Sequence, residues 1–248
     1  MSIESLERIT PTKKNLNYFF EKFPDHKQRY EFACSKLSSD MRIADMACGA
    51  GYGSWLMSSR VGSVVGVDIS EDALAHARSN FSGNNVEFIH GDEYLFESAF
   101  DVVISFETIE HMDESDGDDF LCKIRKSLKR NGLLIISTPI NKTENKINVT
   151  EFHIREYDDY EFPKKLEENG FEIIEMLGQG SPYHEKLYGV NDSQGLSAYL
   201  KHGAHRFFPK SFRNFIKKII LGDPNEGLKI SPKNWRNSMI QIAVCKVK

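Results

Sequence analysis

Cysteine is scarce in this chain: Cys34, Cys48, Cys122 and Cys245 are scattered, and no two form a CxxC pair. That pattern argues against a disulfide framework or a thiolate zinc site and fits a reducing cytosol. Long apolar runs are missing too. None approaches the ~20 residues needed to span a bilayer, and Met1 to Arg8 lack the apolar core of a secretory signal, so a cytoplasmic location is expected. There is no internal repeat and no low-complexity stretch. An excess of positive charge is absent: the formal net charge of −4 argues against a chain that coats nucleic acid by bulk charge. The charge is uneven, however. Residues 201–248 hold 11 Lys or Arg against 2 Asp or Glu, a net +9, which leaves −13 on residues 1–200.

What is present is an alternation of short apolar runs with helical patterns. The 248 residues suffice for one large α/β domain, or a domain with an insertion. Residues 1–40 read as a helical lead-in, with Leu16, Phe19, Phe20 and Phe23 at helical spacing, an interruption at Pro24 and a second helix over 25–37. Strands rich in Val and Ile are expected at 42–46, 63–67, 86–90, 100–105 and 132–137, and helices at 53–59, 71–79 and 117–130. Ser70 reads as an N-cap before Glu71 and Asp72, and Gly132 as the stop after the helix ending at Lys129 and Arg130. A helix over 158–169 and strands at 171–177 and 239–246 follow, separated by an insertion at 178–237. This is a doubly wound α/β pattern, which binds ligands outside the carboxyl ends of its strands.

The stretch Ile43-Ala-Asp45-Met-Ala-Cys48-Gly49-Ala-Gly51-Tyr-Gly53-Ser-Trp55 reads as strand, tight loop and helix start. Backbone amides near Gly49 and Gly51 can approach a ligand closely, and Asp45 would point a carboxylate into the same crevice. Gly49, Gly51 and Gly53 are spaced GxGxG. The dinucleotide fingerprint GxGxxG is broken at Ser54, which counts against a nicotinamide oxidoreductase, the reading of another class. Asp68 closes the second strand and Asp92 follows the third, so three successive strands deliver an acid to one sheet edge. A carboxylate after strand two suits a ribose diol; one after strand three can accept from an adenine amino group.

These motifs, with Phe100-Asp-Val-Val-Ile-Ser-Phe-Glu107 as the fourth, resemble the class I S-adenosylmethionine-dependent methyltransferases over residues 26–177 plus the last strand. The resemblance implies a Rossmann-like seven-stranded sheet with its last strand antiparallel, and S-adenosyl-L-methionine as cofactor. It implies that Gly49 and Gly51 face the methionine part, that Asp68 holds the ribose and that Asp92 and Glu93 frame the adenine. Phe106 would pack near the sulfonium; Asp45 and Ile69 are counted with the cofactor site. The lead-in element His26-x-x-Arg29-Tyr30 is similar to one that closes over the cofactor in methyltransferases of glycan biosynthesis, with Arg29 pairing the methionine carboxylate.

Glu107-Thr-Ile-Glu110-His111 follows the fourth strand. In a helical turn, positions i, i+3 and i+4 share a face, bringing two carboxylates and an imidazole together. With His153 as a fourth ligand this is a candidate divalent-cation site suited to Mg²⁺, Mn²⁺ or Fe²⁺. Alternatively, His111 or His153 is a metal-free general base. The arrangement resembles magnesium-dependent small-RNA 2′-O-methyltransferases and, in its ExxEH part, ubiquinone-type O-methyltransferases. The expected activity is O-methylation of a sugar hydroxyl in surface glycan or glycosylated-metabolite synthesis; an RNA 3′ end or a quinone-like phenol is the alternative. A non-catalytic binding module is disfavoured, since it need not keep the Glu107, Glu110 and His111 cluster. The basic, aromatic stretch from Lys201 to Leu221 reads as a face toward phosphate-bearing acceptors or a membrane surface, or as a lid or homodimer contact.

Overall fold

The computed structural model describes residues 10–91, 97–142, 153–180, 228–233 and 235–248. Two lead-in helices, α1 (Leu16–Lys22) and α2 (Pro24–Cys34), precede an alternation of strands and helices. In order these are β1 (Arg42–Met46), α3 (Tyr52–Ser58), β2 (Ser63–Asp68), α4 (Glu71–Phe81), β3 (Val86–His90) and β4 (Phe100–Phe106). A 3₁₀ turn (Ile109–His111), α5 (Glu114–Ser127), β5 (Leu128–Pro139), α6 (Glu161–Glu168) and β6 (Phe171–Gly180) follow. The described chain closes with β7 (Lys229–Ser231) and β8 (Ile240–Val247). The sheet order is β3-β2-β1-β4-β5-β8-β6-β7. Strands β1 to β5 pair in parallel, while β8 is antiparallel to both β5 and β6.

The sheet thus has eight strands among the described residues, rather than seven. The extra one is β7, which pairs antiparallel with Gly178–Gly180 and lies inside the stretch expected as insertion. Residues 181–227, including the basic aromatic stretch, lie outside the described residues.

Alternation along each strand fills both faces. Ala44, Val103, Leu134, Ile136 and Ala243 join one core with Leu121 and Ile124 of α5 and Phe162 and Leu166 of α6. Their neighbours Ile43, Val102, Ile104, Ile135 and Ile242 join the other, against Tyr30 and Ala33 of α2 and Met57 of α3. Period-two alternation with both faces covered explains why these strands are apolar throughout. Each fully buried Ile or Leu contributes about 1.5–3 kcal/mol.

Several boundaries differ from expectation. Pro24 separates the two lead-in helices as expected and itself opens α2, but α2 stops at Cys34 rather than 37. Ser70 does cap α4, accepting from the Ala73 amide. Helix α5 starts earlier than expected because Asp113 caps it through the Asp116 amide. Gly132 is no helix stop. Strand β5 already begins at Leu128, and Asn131 takes a left-handed φ of 67° where the pairing with β4 slips register.

Candidate functional site

Strand order reverses between β1 and β4, and the loops leaving their carboxyl ends flank a crevice, as in other open α/β sheets. The first loop carries three left-handed residues in close succession: Ala47 (φ 55°), Gly49 (φ 53°) and Gly51 (φ 82°). Its glycines have different roles. A Cβ on Gly49 would meet nothing within 4 Å, so this backbone faces open space. A Cβ on Gly51 would lie 2.6 Å from Ala77 Cβ, and one on Gly53 would lie 2.1 Å from the Tyr30 ring. Those two glycines permit packing of α3 against α4 and of α2 against α3.

The acids of this edge are satisfied from within. Asp45 is buried and accepts from Ser54 Oγ at 2.6 Å beneath the loop, instead of projecting into the crevice. Burial pushes its carboxyl up to about 7; the Ser54 hydrogen bond opposes that rise and the Asp68 charge adds to it. Asp68 accepts from the Gly49 amide at 2.8 Å through one oxygen and from the Ser70 amide at 2.9 Å through the other. It ties the glycine loop to the start of α4, and each oxygen keeps a second lone pair for a ligand hydroxyl. Ile69 is 77% exposed. Asp92 and Glu93 lie outside the described residues.

The lead-in helix closes over the loop. Tyr30 packs edge-on against Tyr52 and Phe106. His26 Nδ1 lies 2.7 Å from the Tyr52 hydroxyl. Burial, with the neighbouring Arg29 charge, lowers the His26 pKa to about 4 against the opposing pull of Asp25, so this imidazole is neutral at pH 7. Arg29 is only 2% exposed. It donates to Gln179 Oε1 at 2.6 Å and pairs with Asp25 at 3.3 Å, while the Gln179 amide donates to the Asp25 carbonyl at 2.9 Å. This lead-in helix is thereby pinned to the end of β6.

The second loop carries the acid and imidazole groups. Glu107 has a left-handed φ of 53°, and its carboxylate accepts from Ser137 Oγ at 2.6 Å. Glu110 is fully buried; Thr138 Oγ1 donates to Oε2 at 3.0 Å, while Oε1 has no hydrogen-bond partner among the described residues. Burial, reinforced by the Glu107 charge, holds the Glu110 carboxyl well above the usual carboxylate range. The His111 and His153 rings meet edge-on with centroids 5.1 Å apart. One ligand atom from each of Glu110, His111 and His153 lies within 4.8 Å of the others. Glu107, expected as a ligand with Glu110 and His111, is not part of that trio; Ser137 on the neighbouring strand engages one of its oxygens.

One cavity of about 680 Å³ joins the two loops. Its donor-loop side includes Gly49, His26, Arg29 and Tyr30, and Phe106 lies between the loops. Glu107, Glu110, His111 and His153 line the other end, with Ile140 and Met239 as apolar wall. Ligand cavities are typically of this size, apolar with a few convergent polar groups. Of the residues expected at the cofactor site, Asp45, Gly51, Asp68 and Ile69 do not line it. Sequence reasoning missed Gln179, whose partner Arg29 is 150 positions away, and Glu156, which follows His153 by three and lies 2.6 Å from its Nδ1.

Residues 37–195 match the methyltransferase domain family, and the chain belongs to it. A relative from Mycolicibacterium smegmatis, named a probable S-adenosylmethionine-dependent methyltransferase, is 30% identical over 178 residues, 69% of this chain and 66% of that one. A protein of Rickettsia bellii named ubiquinone biosynthesis O-methyltransferase is 29% identical over 201 residues, 75% of each chain. The match thus spans slightly under two thirds of the mycolicibacterial relative. Among solved structures, a Thermotoga maritima S-adenosylmethionine-dependent methyltransferase superposes with a TM-score of 0.59 over 95% of this chain and 97% of that one, at 16% identity. That likeness bears on the fold: a Rossmann-like methyltransferase fold, here with its eight-stranded mixed sheet.

Proposed function

We propose that this chain is a methyltransferase that moves a methyl group from S-adenosylmethionine to a hydroxyl oxygen, with a sugar hydroxyl as acceptor. The observation that carries the reading is the single cavity linking the Gly49 loop to the Glu110, His111 and His153 cluster. The residues fit the cofactor. Gly49 leaves open space for a close backbone approach, Asp68 retains lone pairs for a ribose diol, and the Arg29 guanidinium lines the cavity where a methionine carboxylate would find it. Bound there, S-adenosylmethionine supplies an electrophilic methyl on a sulfonium.

The chain's own groups would do the rest. A sugar hydroxyl is a poor nucleophile because its pKa lies far above neutral. An imidazole of His111 or His153 can accept its proton as the new bond forms. Phe106 and Tyr30, packed edge-on where they line the cavity, would exclude water beside the reacting centre, and transfer needs the acceptor oxygen in line at a near-attack distance of ~3 Å. In the metal-assisted version, Glu110, His111 and His153 would hold a divalent cation, which supplies Lewis acidity to adjacent oxygens. The buried Glu110 oxygen that lacks a hydrogen-bond partner among the described residues favours that version. Activity indifferent to EDTA and to added magnesium would remove it.

A quinol-type phenol is the second reading, favoured by the relative named for ubiquinone biosynthesis and its match over 75% of both chains. Both acceptors place two oxygens side by side. Incubation with methyl-labelled S-adenosylmethionine and matched acceptors (a nucleotide sugar, a catechol, a primary amine) tests the proposal by mass spectrometry. Label on one of two adjacent sugar hydroxyls supports the first reading and label on the catechol the second. Label on the amine alone would overturn O-methylation.

A further inference from the structure

His153 and Glu156 form a close pair on a segment held by backbone bonds on two sides and by a side-chain ion pair on a third. The Ile154 and Arg155 amides donate to the Glu110 carbonyl at 2.9 and 3.0 Å. Tyr157 bridges to Ile140 beside the end of β5, and the Asn141 amide donates to the Tyr157 carbonyl at 2.9 Å. Arg155 pairs with Glu114 at the start of α5. Within this clamp Glu156 is 5% exposed, lines the same cavity, and has Oε1 2.6 Å from His153 Nδ1. An ionised carboxylate only accepts hydrogen bonds, and a neutral imidazole donates from one nitrogen while carrying its lone pair on the other. A carboxylate on Nδ1 therefore selects the tautomer with the proton on Nδ1.

We infer that Glu156 is a positioning residue: its carboxylate holds His153 as the Nδ1–H tautomer and so puts the imidazole lone pair on Nε2, the nitrogen through which His153 would then act with Glu110 and His111. The inference rests on the reading of His153 as part of the acceptor site. It applies whether that lone pair takes a proton from the acceptor or binds a cation, because both need an unprotonated nitrogen. Carboxylates placed behind a working histidine act by orientation and tautomer choice rather than by touching the substrate.

The test is nitrogen-15 NMR of the histidine ring in the full-length protein, at a pH where the ring is neutral, with the His153 signals assigned by their loss in His153→Asn. The wild-type spectrum is expected to show the proton on Nδ1, a result that does not depend on any Glu156 variant folding. Glu156→Gln keeps an acceptor oxygen and should keep that tautomer. Glu156→Leu should release it toward Nε2–H, lower kcat by roughly 10–100-fold and leave the donor KM within about twofold. A proton on Nε2 in the wild type, or a Glu156→Leu spectrum unchanged from wild type, overturns the inference. If the tautomer behaves as expected but His153→Asn retains wild-type kcat, the pairing stands and the placing of His153 in the acceptor site falls.

Discussion

The backbone carbonyl of Glu110 accepts from the amide of Ile154 at 2.9 Å, joining the loop after β4 to the segment after β5. Through that bond, two stretches more than 40 residues apart present Glu110, His111 and His153 to one cavity. The donor loop reaches the same cavity from the other side of the strand reversal.

The glycines of the donor loop should respond differently to a methyl group. Gly51→Ala combines a left-handed φ with overlap on Ala77 and Phe88, and is expected to cost about 2–5 kcal/mol of stability. Gly49→Ala meets open space and carries only the conformational cost of about 1–2 kcal/mol. Urea unfolding measures both. Equal losses would mean that Gly51 is not the packing position.

Asp45 should make the ligand-free protein less stable as pH rises. Its folded value of about 7 exceeds the ordinary 3.8, so the folded state holds a proton that the unfolded state has released. The effect is absent below about pH 4, and stability then falls up to about pH 7, by at most about 1.4 kcal/mol per pH unit. Asp45→Asn keeps an acceptor for Ser54 and should flatten that slope in denaturant curves at several pH values. An unchanged slope would assign it to other groups.

His26 should titrate near pH 4, as its burial beside Arg29 requires. The depressed value means that its contribution to stability is present above about 6.5 and is lost as pH falls toward 4. Proton NMR of the imidazole gives the midpoint directly. A midpoint near 6.5 would place His26 in solvent, with the lead-in helix away from the loop.

Glu107 occupies left-handed backbone that a residue with a Cβ enters at a cost of about 1–2 kcal/mol. Glu107→Asn relieves part of that cost and removes the charge beside Glu110, offsetting the lost Ser137 bond. The variant is expected to unfold at the same or a higher urea concentration than wild type. Marked destabilisation would show that the Ser137 contact dominates.

Much of this architecture was legible in the chain. The apolar runs at β2, β4 and β5 announce buried strands because both faces of the sheet are covered, and Ser70 announces α4 because a hydroxyl can satisfy its first amides. Gly132 misled, since a glycine after basic residues looks like a helix end; here it follows Asn131 at a register slip within β5. Arg29 was readable as a cofactor-site cation, but not its burial or its partners. Its burial depends on Gln179, a contact made only when β6 closes against α2. Ser54 appeared as a break in a nucleotide fingerprint, whereas its hydroxyl holds Asp45. Glu156 carried a readable signal, an acid three positions after a histidine, which local spacing alone could have suggested.

Under the proposed function, donor and acceptor groups share one cavity but act separately. Calorimetric titration of S-adenosylhomocysteine into wild type and His111→Ala, alongside turnover of both, tests it most directly. The account predicts that both proteins bind the nucleoside with affinities within about threefold, less than ~0.7 kcal/mol apart, while the variant loses most of its turnover. Absence of binding to wild type, or equal loss of binding and turnover in His111→Ala, would contradict it.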